Sequence, residues 1–237
     1  MLWRVMTKGA ISAILCALLL TTGCGGTKTD SGAGSGTPQP STPRDQLLLS
    51  AAEFPPGTKP LDIPAEKLRS SVTDIGDIMA NSTVTPPDCR GPQVDLAALS
   101  NDLLGNSAMS AAATENMDIY IEFVSPKTAD LNLMMDTNTR CAHLSSISTV
   151  DGQQIETKVD MEKLPTTLDG VDSVAYKSTS TSTVPGTPPT TRTAYQAWAT
   201  LRGLTVATRS AALSGTPDQP TFEKFFTSAV EKVRNAK

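Results

Sequence analysis

The side chains in this sequence that could do covalent or metal chemistry are few: Cys16, Cys24, Cys89, Cys141 and a single histidine, His143. A thiol can carry a lipid, pair as a disulfide or ligate a metal, and an imidazole can serve as a base or a ligand. Their surroundings decide between these chemistries. Cys16 lies inside the apolar run Ile11 to Leu20 (ISAILCALLL). Cys24 follows that run directly after Thr21, Thr22 and Gly23, and Gly25 and Gly26 come next.

Residues 1–23 have the layout of a signal peptide: Arg4 and Lys8 give a positive start, the apolar run follows, and small residues precede Cys24. The run is too short to span a bilayer comfortably as a permanent helix. Leu20-Thr21-Thr22-Gly23-Cys24 resembles the bacterial lipobox, with Thr21 where that pattern prefers leucine. The resemblance implies diacylglyceryl transfer to the Cys24 thiol, cleavage before Cys24 and N-acylation by a chain such as palmitate. Two or three acyl chains anchor stably, at about 0.8 kcal/mol per buried methylene. Membrane lipid is therefore the partner expected at Cys24, and the outer face of the cell membrane the expected location.

With Cys16 in the leader and Cys24 acylated, Cys89 and Cys141 remain. In an exported protein an isolated pair is expected to form a disulfide. It would close a loop of about fifty residues, for which chain entropy gives roughly 4 kcal/mol. A metal pair lacks supporting ligands, His143 being the sole histidine.

The motifs of catalysis are missing. There is no Gly-x-Ser-x-Gly elbow, no P-loop and no dinucleotide fingerprint. His143 reads as a surface or partly buried helix residue. A carboxylate pair among 24 acidic residues has no specificity as a signal. Asp169-Gly170-Val171-Asp172 lacks the ligand spacing of a calcium loop and reads as a tight turn. Ser178 to Thr183 reads as a solvent-facing strand leading into the Pro185 to Pro189 loop, a binding face or O-glycosylation site being the alternatives. No enzyme activity, cofactor or metal is expected. The formal charge is −4, and without Arg4 and Lys8 the balance is about −6. Aromatics are 4% and no basic block occurs, so nucleic acid is not an expected partner.

Residues 24–44, the lipidated cysteine and a Gly/Ser/Thr/Pro stretch, form a flexible tether with a mean reach of about 25 Å. Residues 45–237 form the folded part. A short apolar segment, Gln46 to Ala52, runs into Pro55-Pro56-Gly57. Helices are expected over Ala65 to Asn81 and Asp95 to Leu104, and from Pro126 or Lys127 to about Ser145, the last carrying Leu131, Met134, Cys141 and Leu144 on one face. Strands are expected over Ser107 to Thr114, Met117 to Val124, Gln154 to Leu164 and Asp172 to Val184. Arg192 to Leu201 and Leu204 to Ala212 read as a hairpin through Arg202-Gly203. Phe222, Phe225, Phe226, Val230 and Val233 give the apolar face of a final helix. The fold class is α+β: a single domain with a central antiparallel sheet packed by helices and one disulfide.

Several of these features together resemble small mycobacterial lipoproteins: the lipobox, the tether, the opening stretch Leu47 to Gly57 (LLLSAAEFPPG), the Pro87-Asp88-Cys89 element, and a second cysteine on the helix after the first hairpin. The opening stretch and cysteine placement are similar to the extracytoplasmic sensor domain of a mycobacterial serine/threonine kinase and to the lipoproteins that share its fold. The resemblance covers about residues 45–236. It implies a central antiparallel sheet packed by helices, with a cleft for a small or lipidic ligand. The sensor domain has two disulfides, whereas this chain has cysteines for one, and no site residue carries over.

The function expected is that of a lipid-anchored, non-enzymatic binding module in the cell envelope. It predicts an apolar pocket of a few hundred Å³ between sheet and helices. A protein-interaction or structural lipoprotein would instead show an exposed apolar patch and no pocket. A hydrolase would need two carboxylates within about 10 Å in a cleft.

Overall fold

Long runs in which β-branched, aromatic and small residues alternate favour extended backbone over most of the chain after position 107. The computed structural model describes residues 38–64, 66–67, 81–150, 152–213 and 215–237. Cys24, the leader, most of the tether and nearly all of the helix expected over Ala65 to Asn81 lie outside the described residues.

In chain order the elements are α1 (Arg44–Leu47), β1 (Lys59–Pro60), β2 (Thr83–Thr85), a 3-10 turn (Pro87–Cys89), α2 (Arg90–Leu104), β3 (Ala108–Ala113), β4 (Asp118–Ser125), α3 (Leu131–Arg140), β5 (His143–Val150), β6 (Gln153–Leu164), β7 (Asp172–Thr183), β8 (Thr190–Leu201), β9 (Leu204–Ala212) and α4 (Gln219–Arg234). Among the described residues they build one antiparallel sheet of nine strands, ordered β1-β3-β4-β9-β8-β7-β6-β5-β2. Strands β5 to β9 form a meander. The β3–β4 hairpin joins it through the β4–β9 pair, which sets Ile121 opposite Arg209 and Glu122 opposite Thr208. This is an α+β arrangement.

One sheet face is closed by α4 and the segment from α1 to Phe54. Pro220 in the first turn and Asp218, whose carboxylate accepts the Thr221 N–H at 2.8 Å, start α4. Its Phe222, Phe225, Phe226, Val230 and Val233 are buried against Tyr120, Tyr195, Ala197 and Val206. Tyr195 stacks on Phe222 with ring centroids 5.5 Å apart, and Phe225 lies 5.1 Å from Phe54. Each such side chain contributes about 1.5–3 kcal/mol of burial, so this layer is the main core.

The other face carries α2 and α3 over one end only. Leu103 and Met134 pack there with Ala129, and Trp198 of β8 lies against them. Thr205 of β9 fixes the entry to α3: its Oγ1 accepts the Ala129 N–H and donates to the Lys127 carbonyl, each at 2.7 Å. The Cys89–Cys141 disulfide ties the start of α2 to the end of α3 and is buried with Val84, Leu144 and Val159. The helices therefore flank both faces of the sheet rather than lying on one.

The helix expected as far as Ser145 is shorter than the sequence reading. It covers Leu131–Arg140, with Asp130 capping it by accepting the Leu133 N–H, and residues 143–150 form β5. Five strands follow α3 where three or four were expected. Ser145, Ser146, Ile147, Ser148, Thr149 and Val150 disfavour helix, through hydroxyl competition for backbone bonds and through β-branching, and the chain turns at Cys141 into a strand. Among the described residues no helix is long and apolar enough to cross a membrane.

Candidate functional site

The face opposite α4 is only partly covered, and its open part is concave because small residues form its floor. On β8 and β9, Ala194 and Ala211 sit opposite each other, with Ile119 of β4 beside Ala211 and Ser178 of β7 beside Ala194. Alanines at these central positions leave a groove of about 380 Å³. Arg209, two residues before Ala211 on the same face, and Arg192, two residues before Ala194, stand at either end of that alanine floor. Isoleucines 119 and 121 wall one side, and the hydroxyls of Ser178 and Ser180 the other.

A second cavity, of about 340 Å³, lies where α2 and α3 arch over the sheet. Leu96 and Ala97 of α2, Met134 of α3, and Leu144, Met161 and Trp198 of the sheet give it a largely apolar lining. The two spaces adjoin at Arg209 and Ser178, which line both. Tyr176 packs edge-on against Trp198 of the cavity lining, ring centroids 6.5 Å apart.

Arg209 is the electrostatic centre of this cleft. Its Nη1 donates to Gln196 Oε1 at 3.4 Å, a long bond to a neutral group. The side chain is exposed to solvent along the mouth of the groove. Crowding by neighbouring groups on the sheet lowers the guanidinium pKa from its ordinary value. No carboxylate of the described residues lines either space.

A second unusual group lies beneath the opposite face. Glu122 is fully buried, and its Oε2 accepts the Leu49 N–H at 2.9 Å. Burial pushes its carboxyl up to about 7, against the lowering effect of that bond. The Ser110 hydroxyl, opposite Glu122 on β3, also lowers it, while the hydroxyls of Thr208 and Ser210 on β9 have no hydrogen-bond partner among the described residues. Glu122 faces α4 and not the cleft, so it is no part of the binding surface.

Most residues singled out from the sequence lie away from the cleft. Cys24 is outside the described residues. Cys89 and Cys141 form a disulfide behind the apolar cavity. His143 is on β5 rather than a helix, exposed, with Nδ1 2.6 Å from Asp160 Oδ1. Asp169 and Gly170 form the turn before β7, with Gly170 at φ 67°. The Ser178 to Thr183 run is half-buried rather than solvent-facing over much of its length, and Ser178 and Ser180 point into the groove. Exposed large apolar residues among those described, Ile63, Val94, Met117, Ile147 and Leu213, lie on separate segments. Arg192 and Arg209 escaped the sequence reading, although an arginine between Ala207 and Ala211 on one face of a strand is a detectable irregularity.

No family model matches the chain, and no curated protein matches it. Among solved structures it is similar to an uncharacterized protein (Rv0999 ortholog) from Mycobacterium smegmatis, with 15% identity, a TM-score of 0.43, and coverage of 77% of this chain and 92% of that one. It is also similar to the extracellular domain of PknH from Mycobacterium tuberculosis, with 12% identity, a TM-score of 0.43, and coverage of 83% and 98%.

Proposed function

We propose that the protein is a non-enzymatic binding module of the cell envelope, anchored through lipid on Cys24, that takes a small or lipidic ligand in the cleft between the sheet and helices α2 and α3. The observation that carries the reading is the apolar cavity of about 340 Å³ under those helices, which adjoins the groove at Arg209. Its size falls within the range of ligand pockets, and its apolar walls with a few convergent polar groups fit that use.

The test is native mass spectrometry of the protein purified from its own host, alongside an Ala97→Phe variant that fills the cavity from α2. The wild-type protein should carry a lipid or metabolite, and the variant should lose it while keeping its melting temperature. A wild-type protein without any bound mass, or a filled variant that retains it, would count against the cleft.

A further inference from the structure

We propose that the ligand of this cleft is an anionic amphiphile, whose carboxylate or phosphate pairs with Arg209 while its hydrocarbon part enters the cavity beneath α2 and α3. The proposal rests on the binding-module reading above and adds the chemical class of the ligand.

Position is the first argument. Arg209 stands where the groove that holds both arginines adjoins the more apolar cavity, so a molecule lying across both places its boundary between head and tail beside the guanidinium. The second argument is charge. A guanidinium offers five N–H donors, more than one amide oxygen can satisfy. Here the bond to neutral Gln196 is long, and no ion pair with a carboxylate of the described residues forms. Arg192 adds a second cation to the same groove. In a chain of net charge −4, two arginines in one groove without a lining carboxylate among the described residues run against the overall balance. The third argument is room. The alanine floor leaves space between the two arginines, bordered by the Ser178 and Ser180 hydroxyls, which can donate to an oxyanion. Arginine suits this task because its planar fork matches carboxylate and phosphate geometry.

The bland alternative is an arginine whose stem packs on the sheet and whose head is simply solvated through the groove mouth. Calorimetric titration of the purified full-length protein separates the two. Four probes are used, the amphiphiles below their micelle concentrations: laurate, monododecyl phosphate, dodecanol and inorganic phosphate. Laurate or dodecyl phosphate should bind at least tenfold more tightly than dodecanol and than inorganic phosphate. Arg209→Gln should remove that advantage while leaving dodecanol binding unchanged, and Arg209→Lys should restore part of it. Should Arg209→Gln fail to fold, Arg192→Gln serves, with about a threefold loss expected for the anionic probes only.

Dodecanol binding as tightly as the anions would overturn the headgroup assignment and leave the cleft reading standing. So would anion affinity that survives both arginine substitutions. Inorganic phosphate binding as tightly as dodecyl phosphate would replace the amphiphile with a small-anion ligand. Failure of every probe to bind would sink the headgroup proposal and the cleft reading together.

Discussion

The carboxylate of Glu122 accepts the backbone N–H of Leu49 at 2.9 Å, joining β4 to the segment that follows α1 across a chain separation of 73 residues. The bond holds that segment over the main core, and it does so with an acid in a place nearly without water.

That placement sets a pH dependence of stability. Burial raises the Glu122 carboxyl to about 7 from an ordinary value of 4.5. The folded state therefore holds the proton more tightly than the unfolded chain. The stabilising contribution is full below about pH 4.5 and is lost as pH rises through 7. Glu122→Gln keeps an acceptor for Leu49 and removes the ionisation. It should stabilise the protein at pH 8 by about 2–3 kcal/mol and have little effect at pH 4.5. Urea unfolding of both proteins across that range measures the difference, and parallel profiles would refute the assignment.

Glu53 should act in the opposite sense. Its Oε2 accepts from Lys232 Nζ at 2.6 Å and from both the N–H and hydroxyl of Ser50 at 2.7 Å. The Lys232 bond is the largest cause that holds its pKa at about 2. The contribution is present above the ordinary value of 4.5 and disappears as pH falls toward 2. Because the Glu53 side chain is 45% exposed, solvent screening keeps the effect small. Glu53→Gln should cost about 1 kcal/mol at pH 7 and almost nothing near pH 2.5, read from thermal melts at the two values.

Reduction of Cys89–Cys141, or Cys141→Ser, should lower stability by roughly 2–4 kcal/mol. Because the bond ties the start of α2 to the end of α3, faster hydrogen exchange should appear first in α2. Uniform exchange across the sheet and α2 would contradict that local role.

Cys24→Ala should release the protein from the membrane into the aqueous phase on detergent partitioning. It should also abolish incorporation of labelled palmitate. Retention of either property would remove the lipid anchor from the proposed function.

The elements legible in the sequence were those with a local signature. The β8–β9 hairpin could be placed because Arg202-Gly203 separates two alternating runs, and both residues take positive φ, 51° and 71°, as a two-residue turn of matching twist requires. The phenylalanine spacing of α4 was equally direct. Strand β5 was hidden because Leu144 continues the three- and four-residue spacing of Leu131, Met134 and Cys141, so a helical period overran the true boundary. In β4 the alternation was visible, but which face is buried was not: Tyr120, Glu122 and Val124 face α4, whereas Ile119, Ile121 and Phe123 are only half-buried. The cleft had no local signature, because Arg209, Ile121 and Gln196 become neighbours only through the pairing of β4, β9 and β8.

The alanine floor of the groove gives the protein a freedom most sheets lack. Its hollow is made by the size of two side chains and not by a gap in the hydrogen-bonded ladder. Replacing Ala194 or Ala211 by a larger residue would change the depth of the groove and leave the backbone pairing intact. Selectivity can therefore be retuned by single substitutions, while the scaffold and its folding stay constant.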